Sequence, residues 1–118
     1  MRIKADGPFF SILTQSAFPL GIITLTCDAE FCLTREAVGL GIYRHAMGDW
    51  GEAGEETRFA NDSALGEGGP LVSVFTAEPL KVRFRVVTDA DRENTLVMLE
   101  SELPEYEPGA IRSFGGKE

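Results

Sequence analysis

The clearest pattern along the chain is a two-residue alternation between Leu80 and Thr88, in which apolar side chains alternate with cationic ones. The apolar members are Leu80, Val82, Phe84 and Val86, and the cationic members are Lys81, Arg83 and Arg85. Because successive side chains of a strand point to opposite faces, this pattern predicts a strand with one buried and one wet face. Apolar runs at 71–76 and 95–100 predict a strand on each side. The second half of the chain is therefore expected to form a three-stranded antiparallel meander.

The middle of the chain changes to a helical repeat. Val38, Ile42 and Ala46 recur at four-residue intervals, which predicts one buried helix face. Thr34 is placed as the N-cap of this helix, and Gly48 as the residue that ends it. We therefore expect a first helix between these two residues.

A second helix is expected from 55 to 65, because Glu55 and Glu56 suit the positive end of a helix dipole. Phe59 and Ala60 are assigned to its inner face. An apolar, β-branched run that begins near Leu20 predicts one more strand, which either joins the sheet as an edge or lies apart from it. The pattern indicates an α+β fold, with a helical hairpin packed on a three- to four-stranded antiparallel sheet.

The length of 118 residues, with 43% hydrophobic and 25% charged residues, is typical of a single globular domain. We expect an ordered core from about 18 to 103. The acidic tail at 104–118 contains Pro and Gly, and we expect it to be mobile or to order on a partner. No apolar run is long enough to predict a membrane span. Cys27 and Cys32 are expected to be reduced, buried thiols of a cytoplasmic protein.

The net charge of −8 is concentrated in two blocks. Residues 49–69 contain six acids and one arginine, and residues 100–118 contain five acids and two basic residues. A chain this acidic is repelled by nucleic-acid phosphates and attracted by a basic protein surface. The simpler interpretation is a solvated helix whose charges serve solubility. The candidate partner-binding residues of the first block are Asp49, Glu52, Glu55, Glu56, Asp62 and Glu67.

The segment RHAMGDWGE at 44–52 contains the single His and the single Trp of the chain. A catalytic interpretation joins His45 and Asp49 as an acid–base pair, with Asp91 brought near by the turn that precedes the last strand. In the structural interpretation, which we favour, His45 ends the first helix, Asp49 caps the second and Trp50 fills the core. One His is a poor basis for a zinc site, so neither a metal nor a cofactor is expected.

Several segments together resemble a known family. HAMGDWGE at 45–52, ANDSALGEGG at 60–69 and VVTDADRENTLVMLESE at 86–102 resemble small proteins that recur in plasmids, integrative elements and phage-like regions of bacterial genomes. The family pattern reads RHxxGDWG, then ANDxAL, then TEADRxxT, and this chain departs from it with TDADR in place of TEADR. The resemblance implies a mobile-element context and supplies no activity. The residues that match the pattern and are expected to be structural are His45, Trp50, Asn61, Asp89, Asp91, Arg92 and Thr95.

Three functions remain open from the sequence. The favoured one is a non-enzymatic, acidic binding protein of a mobile element, whose partner is a basic protein of a nucleic-acid-handling complex. Its most specific version is an inhibitor of the anti-restriction or anti-CRISPR type. The first alternative is a small metal-assisted hydrolase or nuclease around His45, Asp49 and Asp91. The second is a direct nucleic-acid binder through Lys81, Arg83 and Arg85, although we favour the interpretation of those cations as the polar face of a sheet.

Overall fold

The computed structural model describes residues 2–3 and 16–102. The elements in chain order are β1 Arg2–Ile3, β2 Ile22–Leu25, α1 Cys27–Cys32, α2 Arg35–Ala46, α3 Glu55–Glu67, β3 Leu71–Ala77, β4 Val82–Thr88 and β5 Asn94–Leu99, followed by a 3₁₀ turn at Glu100–Glu102. The expected tail at 104–118 lies outside the described residues. No helix in the described part of the chain combines the length and apolarity needed to cross a membrane.

The strands form one sheet in the order β1-β2-β5-β4-β3. The meander β3-β4-β5 is antiparallel, as the two-residue alternation predicts. The sheet is not antiparallel throughout, however, because β2 runs parallel to β5 and β1 pairs with the other side of β2. The α+β class is thus confirmed, and the purely antiparallel sheet is wrong. Three helices separate β2 from β3, and the chain re-enters the sheet at the edge strand β3. It then continues through β4 to β5, which lies beside β2.

The helices cover one face of the sheet and form the main core with it. Val38 and Ile42 of α2 are buried against a sheet face that carries Phe75, Phe84 and Val97. The predicted N-cap of α2 is confirmed, because the Thr34 hydroxyl accepts a hydrogen bond from the amide of Ala37 at 3.1 Å.

The opposite face of the sheet is less wet than the alternation predicts. It carries Arg83 and Arg85, but also a second buried cluster of Val72, Val87 and Met98. β4 begins at Val82, whereas the alternation begins two residues earlier. The turn between β3 and β4 therefore takes Leu80 and Lys81, and it leaves Leu80 81% exposed.

Two predicted burials are wrong. Cys27 and Cys32 are exposed, because they belong to the short helix α1, which the sequence pattern did not indicate. Phe59 and Ala60 of α3 also face outward, and Phe59 is 74% exposed. The inner face of α3 instead carries the buried Asn61 and Ala64.

Asn61 explains this orientation of α3. Its side-chain amide donates to the carbonyl oxygen of Val72 at 2.8 Å, and its side-chain oxygen accepts from the amide of Val72 at 3.0 Å. On the same strand, the amide of Val74 donates to Trp50 O at 3.2 Å, and Glu52 N donates to Val74 O at 2.7 Å. The outer edge of β3 is therefore paired by α3 and by the segment that precedes it.

Candidate functional site

His45 lies at the end of α2 with no exposed surface. Its Nδ1 is 2.6 Å from Ser73 Oγ on β3, and its Nε2 is 2.9 Å from Thr88 Oγ1 on β4. Thr88 Oγ1 is in turn 2.7 Å from Thr95 Oγ1 on β5. Thr95 donates to the carbonyl oxygen of Leu20 at 2.7 Å. One buried chain of hydrogen bonds thus connects a helix, three strands and the segment before β2.

The donor and the acceptor of each hydrogen bond in this network follow from its last bond, between Thr95 and Leu20. A carbonyl oxygen only accepts, so the single hydroxyl proton of Thr95 goes to Leu20. Thr88 must then donate to Thr95, and the proton between His45 and Thr88 must sit on the imidazole Nε2. In neutral imidazole Nδ1 is then free of a proton, and it accepts from the hydroxyl of Ser73.

The imidazole is held in its neutral form. Burial, and next the positive charge of Arg92, lower the pKa of His45 from 6.5 to about 3. Burial lowers the pKa because the charged imidazolium loses its hydration in the protein interior. His45 is therefore uncharged at neutral pH and serves as a connector between strands.

The Ser73–His45 contact joins a hydroxyl and an imidazole, as in a nucleophile and its base, but no substrate can reach it. Both residues have no exposed surface, so a substrate carbonyl cannot reach the hydroxyl oxygen. The described structure also gives the imidazole no hydrogen bond to Asp49 or Asp91. Asp49 binds Arg44, and Asp91 accepts from the amide of Glu93 in its own turn. The geometry proposed for the catalytic alternative is not formed.

Asp49 organises the chain between α2 and α3. Its carboxylate lies 2.8 Å from Arg44 Nε and accepts from the amide of Gly51 at 3.0 Å. The Arg44 hydrogen bond is the main reason why the pKa of Asp49 lies below its ordinary value of 3.8. The expected capping of α3 by Asp49 is wrong, because the N-cap is Gly54.

Trp50 fills the core from this connection, as the structural interpretation expects. It is 4% exposed, and its Nε1 donates to Asp62 Oδ1 on α3 at 3.0 Å. Its ring meets His45 edge-on at 5.7 Å between centroids and stacks on Phe18 at 6.3 Å. The single Trp and the single His are therefore parts of one aromatic cluster.

Arg92 joins the β4–β5 turn to the end of α3. Its guanidinium donates to the carbonyl oxygens of Gly69 at 2.7 Å and Ala64 at 3.0 Å, and also to Asp89 O at 3.0 Å. The carbonyl of Ala64 lies in the last turn of α3, where the negative end of the helix dipole favours a cation.

The cations on β4 are engaged within the molecule. Arg83 contacts Glu52 at 2.5 Å and Glu100 at 3.6 Å, and Arg85 contacts Glu100 at 3.3 Å. Lys81 pairs with Glu78 inside the β3–β4 turn. A stripe whose charges are matched in this way offers little to a phosphate backbone.

The first acidic block divides into two groups. Asp49 and Glu52 are ion-paired with Arg44 and Arg83, and Asp62 holds the indole of Trp50. Within this block, the exposed side chains for which the described structure gives no hydrogen bond or ion pair are Glu55, Glu56 and Glu67 of α3. Residues 16–102 contain no group of three or more His, Cys, Asp and Glu side chains placed to hold a metal ion.

Two features escaped the sequence patterns. Ser73 and Thr88 bind the imidazole, but a polar residue within a strand gives no sign of a distant partner. Phe59 was expected inside because apolar residues of a helix usually face the core, and nothing local shows that Asn61 takes the inner position.

Comparisons with protein-family models, with curated proteins and with solved structures found no match to this chain.

Proposed function

We propose that the protein is a non-enzymatic binding protein that docks on a basic protein surface through the outward face of α3. The observation that carries this proposal is Phe59, whose side chain is 74% exposed on a helix that is acidic around it. Isolated exposed apolar residues are ordinary. An aromatic ring beside the uncommitted carboxylates of Glu55 and Glu56 has the composition of a docking anchor instead.

The position of Phe59 on α3 supports this function. At about 100° per residue, Phe59 lies opposite the buried Asn61 and Ala64. Glu55 precedes Phe59 by one turn, and Glu56 lies on its flank. The aromatic ring is therefore at the centre of the outward face and not at its margin. A partner that covers this face desolvates Phe59 and meets the carboxylates at the rim.

The free carboxylates define what kind of partner fits. Glu55, Glu56 and Glu67 are exposed and unpaired among the described residues, and they add to a net charge of −8. Carboxylates at the rim of an interface raise the association rate with a cationic surface and select against anionic ones. The partner we propose is therefore a protein with Lys and Arg around an apolar pocket, and not a nucleic acid.

The biological setting that we propose comes from the family resemblance. A cytoplasmic protein of a mobile element, acidic and without a catalytic centre, suits an inhibitor of host defence or of another nucleic-acid-handling complex. Such complexes present basic surfaces that bind phosphates. An acidic protein competes for those surfaces, as an anti-restriction or anti-CRISPR protein would.

Affinity capture from a bacterial lysate, with the captured proteins identified by mass, tests the function. Phe59→Ala and the double variant Glu55→Gln/Glu56→Gln should each lose a partner that the unaltered protein retains at low salt. The matched controls are Phe31→Ala, which removes a 91% exposed ring from α1, and Asp28→Asn/Glu93→Gln, which removes two exposed acids elsewhere. Equal capture by the Phe59 and Phe31 variants would rule out the α3 face as the docking surface.

A further inference from the structure

A groove lies between α2 and the ends of β3 and β4. Its volume is about 280 Å³. This is slightly below the roughly 300–1,000 Å³ of pockets that take whole small molecules, so it suits one or two inserted side chains. The groove is lined by Thr34, Glu36, Ala37, Leu40, Gly41, Arg44, Phe75, Thr76, Ala77, Glu78 and Phe84.

The floor of the groove is apolar and shaped by small residues. Phe75 and Phe84 lie with their ring centroids 5.7 Å apart. Gly41 faces them, and a Cβ there would come within 2.7 Å of the Phe84 ring. Ala37 and Ala77 add no bulk to the walls. The two rings are buried and form the floor of the groove.

The helix beside the groove is apolar on both of its faces. Its inner residues include Val38 and Ile42, whereas Leu40 and Tyr43 lie on the outer side. Leu40 is 58% exposed and Tyr43 is 43% exposed. Leu40 also lines the groove, where Glu36 and Arg44 lie one turn away from it along α2. Exposed apolar surface of α2 therefore borders the groove, with a charged side chain on each side of it.

Carboxylates stand at the mouth of the groove. Glu36 is exposed and has no ion pair among the described residues. Glu78 pairs with Lys81, so the two side chains together add no net charge beside the groove. The cation of the lining, Arg44, is occupied by Asp49 and stacks over the Phe75 ring, 4.7 Å from its centroid. The charge left for a ligand is negative.

We propose that this groove binds a segment of another protein in which an aliphatic or aromatic side chain lies beside a Lys or Arg. The apolar side chain enters between Leu40 and the two rings, and the cation pairs with Glu36. A second copy of this chain is the less suitable occupant, because each copy carries a net charge of −8 and the two repel. The inference is independent of the α3 face, since the two surfaces share no residue.

A phage-displayed library of random peptides, selected on the immobilised protein, is the direct test. Enriched peptides should combine a large apolar residue with a Lys or Arg within one helical turn. A synthetic peptide of the enriched sequence should shift the amide resonances of Gly41 and Thr76 in NMR spectra of the protein.

Variants assign the binding to the groove. Ala37→Trp fills the groove and should weaken the peptide's affinity about tenfold or more. Leu40→Ser alters only an exposed side chain and gives the same test if the first variant folds poorly. Glu36→Lys should reverse the preference toward acidic peptides. Phe59→Ala, the variant that tests the α3 face, should leave peptide affinity unchanged.

Four results would overturn the proposal. The first two are a library without enrichment and enriched peptides that lack a basic residue. The third is a peptide affinity that is equal for the unaltered protein, Ala37→Trp and Leu40→Ser. The fourth is a dimer, detected by sedimentation, that Ala37→Trp dissociates. The last result would assign the groove to a second copy. None of them bears on capture through Phe59, so the two proposals fail separately.

Discussion

The direction of the hydrogen bond between His45 and Thr88 is set by another hydrogen bond further along the same network. Their 2.9 Å contact is directed by the hydrogen bond that Thr95 donates to a carbonyl oxygen at the far end of the same chain of groups. The imidazole therefore carries its proton on Nε2. It connects β3 to β4 although its two partners are 28 and 43 residues away in sequence.

This assignment predicts the tautomer directly. Long-range ¹H–¹⁵N correlation of the protein at neutral pH should show His45 as the Nε2–H form, with Nδ1 unprotonated. Ser73→Ala removes the donor to Nδ1 and should leave the tautomer unchanged, because the bond to Thr88 still fixes it. A spectrum that shows the Nδ1–H form in the unaltered protein would contradict this assignment of donors and acceptors.

The lowered pKa of His45 predicts acid sensitivity. The folded pKa of about 3 lies below the unfolded value of 6.5, so the unfolded state binds the proton first as the pH falls. The stabilising contribution is complete above pH 6.5, and it is lost progressively as the pH falls from there toward 3. At pH 5 the loss amounts to about 2 kcal/mol, from 1.36 kcal/mol for each pH unit below 6.5.

Urea unfolding at pH 7.5 and pH 5.0 measures this loss. His45→Gln, which cannot take up the proton, serves as the control and should lack about 2 kcal/mol of the pH dependence. Carboxylates that titrate in the same window contribute equally to both proteins, so they cancel in the comparison. The same pH dependence in both proteins would show that His45 is not the group responsible.

Asn61→Ala should destabilise the protein by about 2–4 kcal/mol, since it leaves the amide and the carbonyl of Val72 without a partner. Chemical denaturation measures the change in the free energy of unfolding. Ser63→Ala, on the same helix, is the control and should alter it by no more than about 0.5 kcal/mol. A loss of less than about 0.5 kcal/mol in the Asn61 variant would mean that water replaces the side chain at the strand edge.

Two glycines should respond to alanine with opposite signs. Gly51 has a φ of 65°, and a Cβ there would overlap the carbonyl oxygen of Val74. Gly51→Ala should therefore cost at least about 2 kcal/mol of stability. Gly66 lies within α3 with open space around it, so Gly66→Ala should gain about 0.5–1 kcal/mol. Thermal unfolding of the two variants measures both effects, and a shift of the same sign in both would refute the assignment.

The local signals of this sequence were sufficient for its local structures. Thr34 caps α2 because its side chain reaches an amide three residues on, and that geometry depends on nothing distant. The alternation along β4 likewise identified a strand, although its first two residues belong to the turn. Signals of this kind depend on the residues of one element, so the packing of the other elements does not change the structure that they predict.

What escaped prediction depends on contacts between elements. The orientation of α3 is decided by Asn61, whose partner is on β3, and this contact turned Phe59 outward against its own hydrophobicity. The parallel pairing of β2 with β5 depends on where the chain returns after three helices. The role of His45 likewise appeared only when two strands supplied its hydroxyl partners.

The paired outer edge of β3 also limits how this protein assembles. The backbone groups of Val72 and Val74 already form hydrogen bonds with Asn61 and with the Trp50–Glu52 segment. They are therefore not free to pair with a strand of another molecule. Growth by successive strand addition, the route to open-ended fibres, is closed at this side of the sheet. Contacts that another molecule makes at Val72 and Val74 must therefore use side chains and not a shared β-ladder.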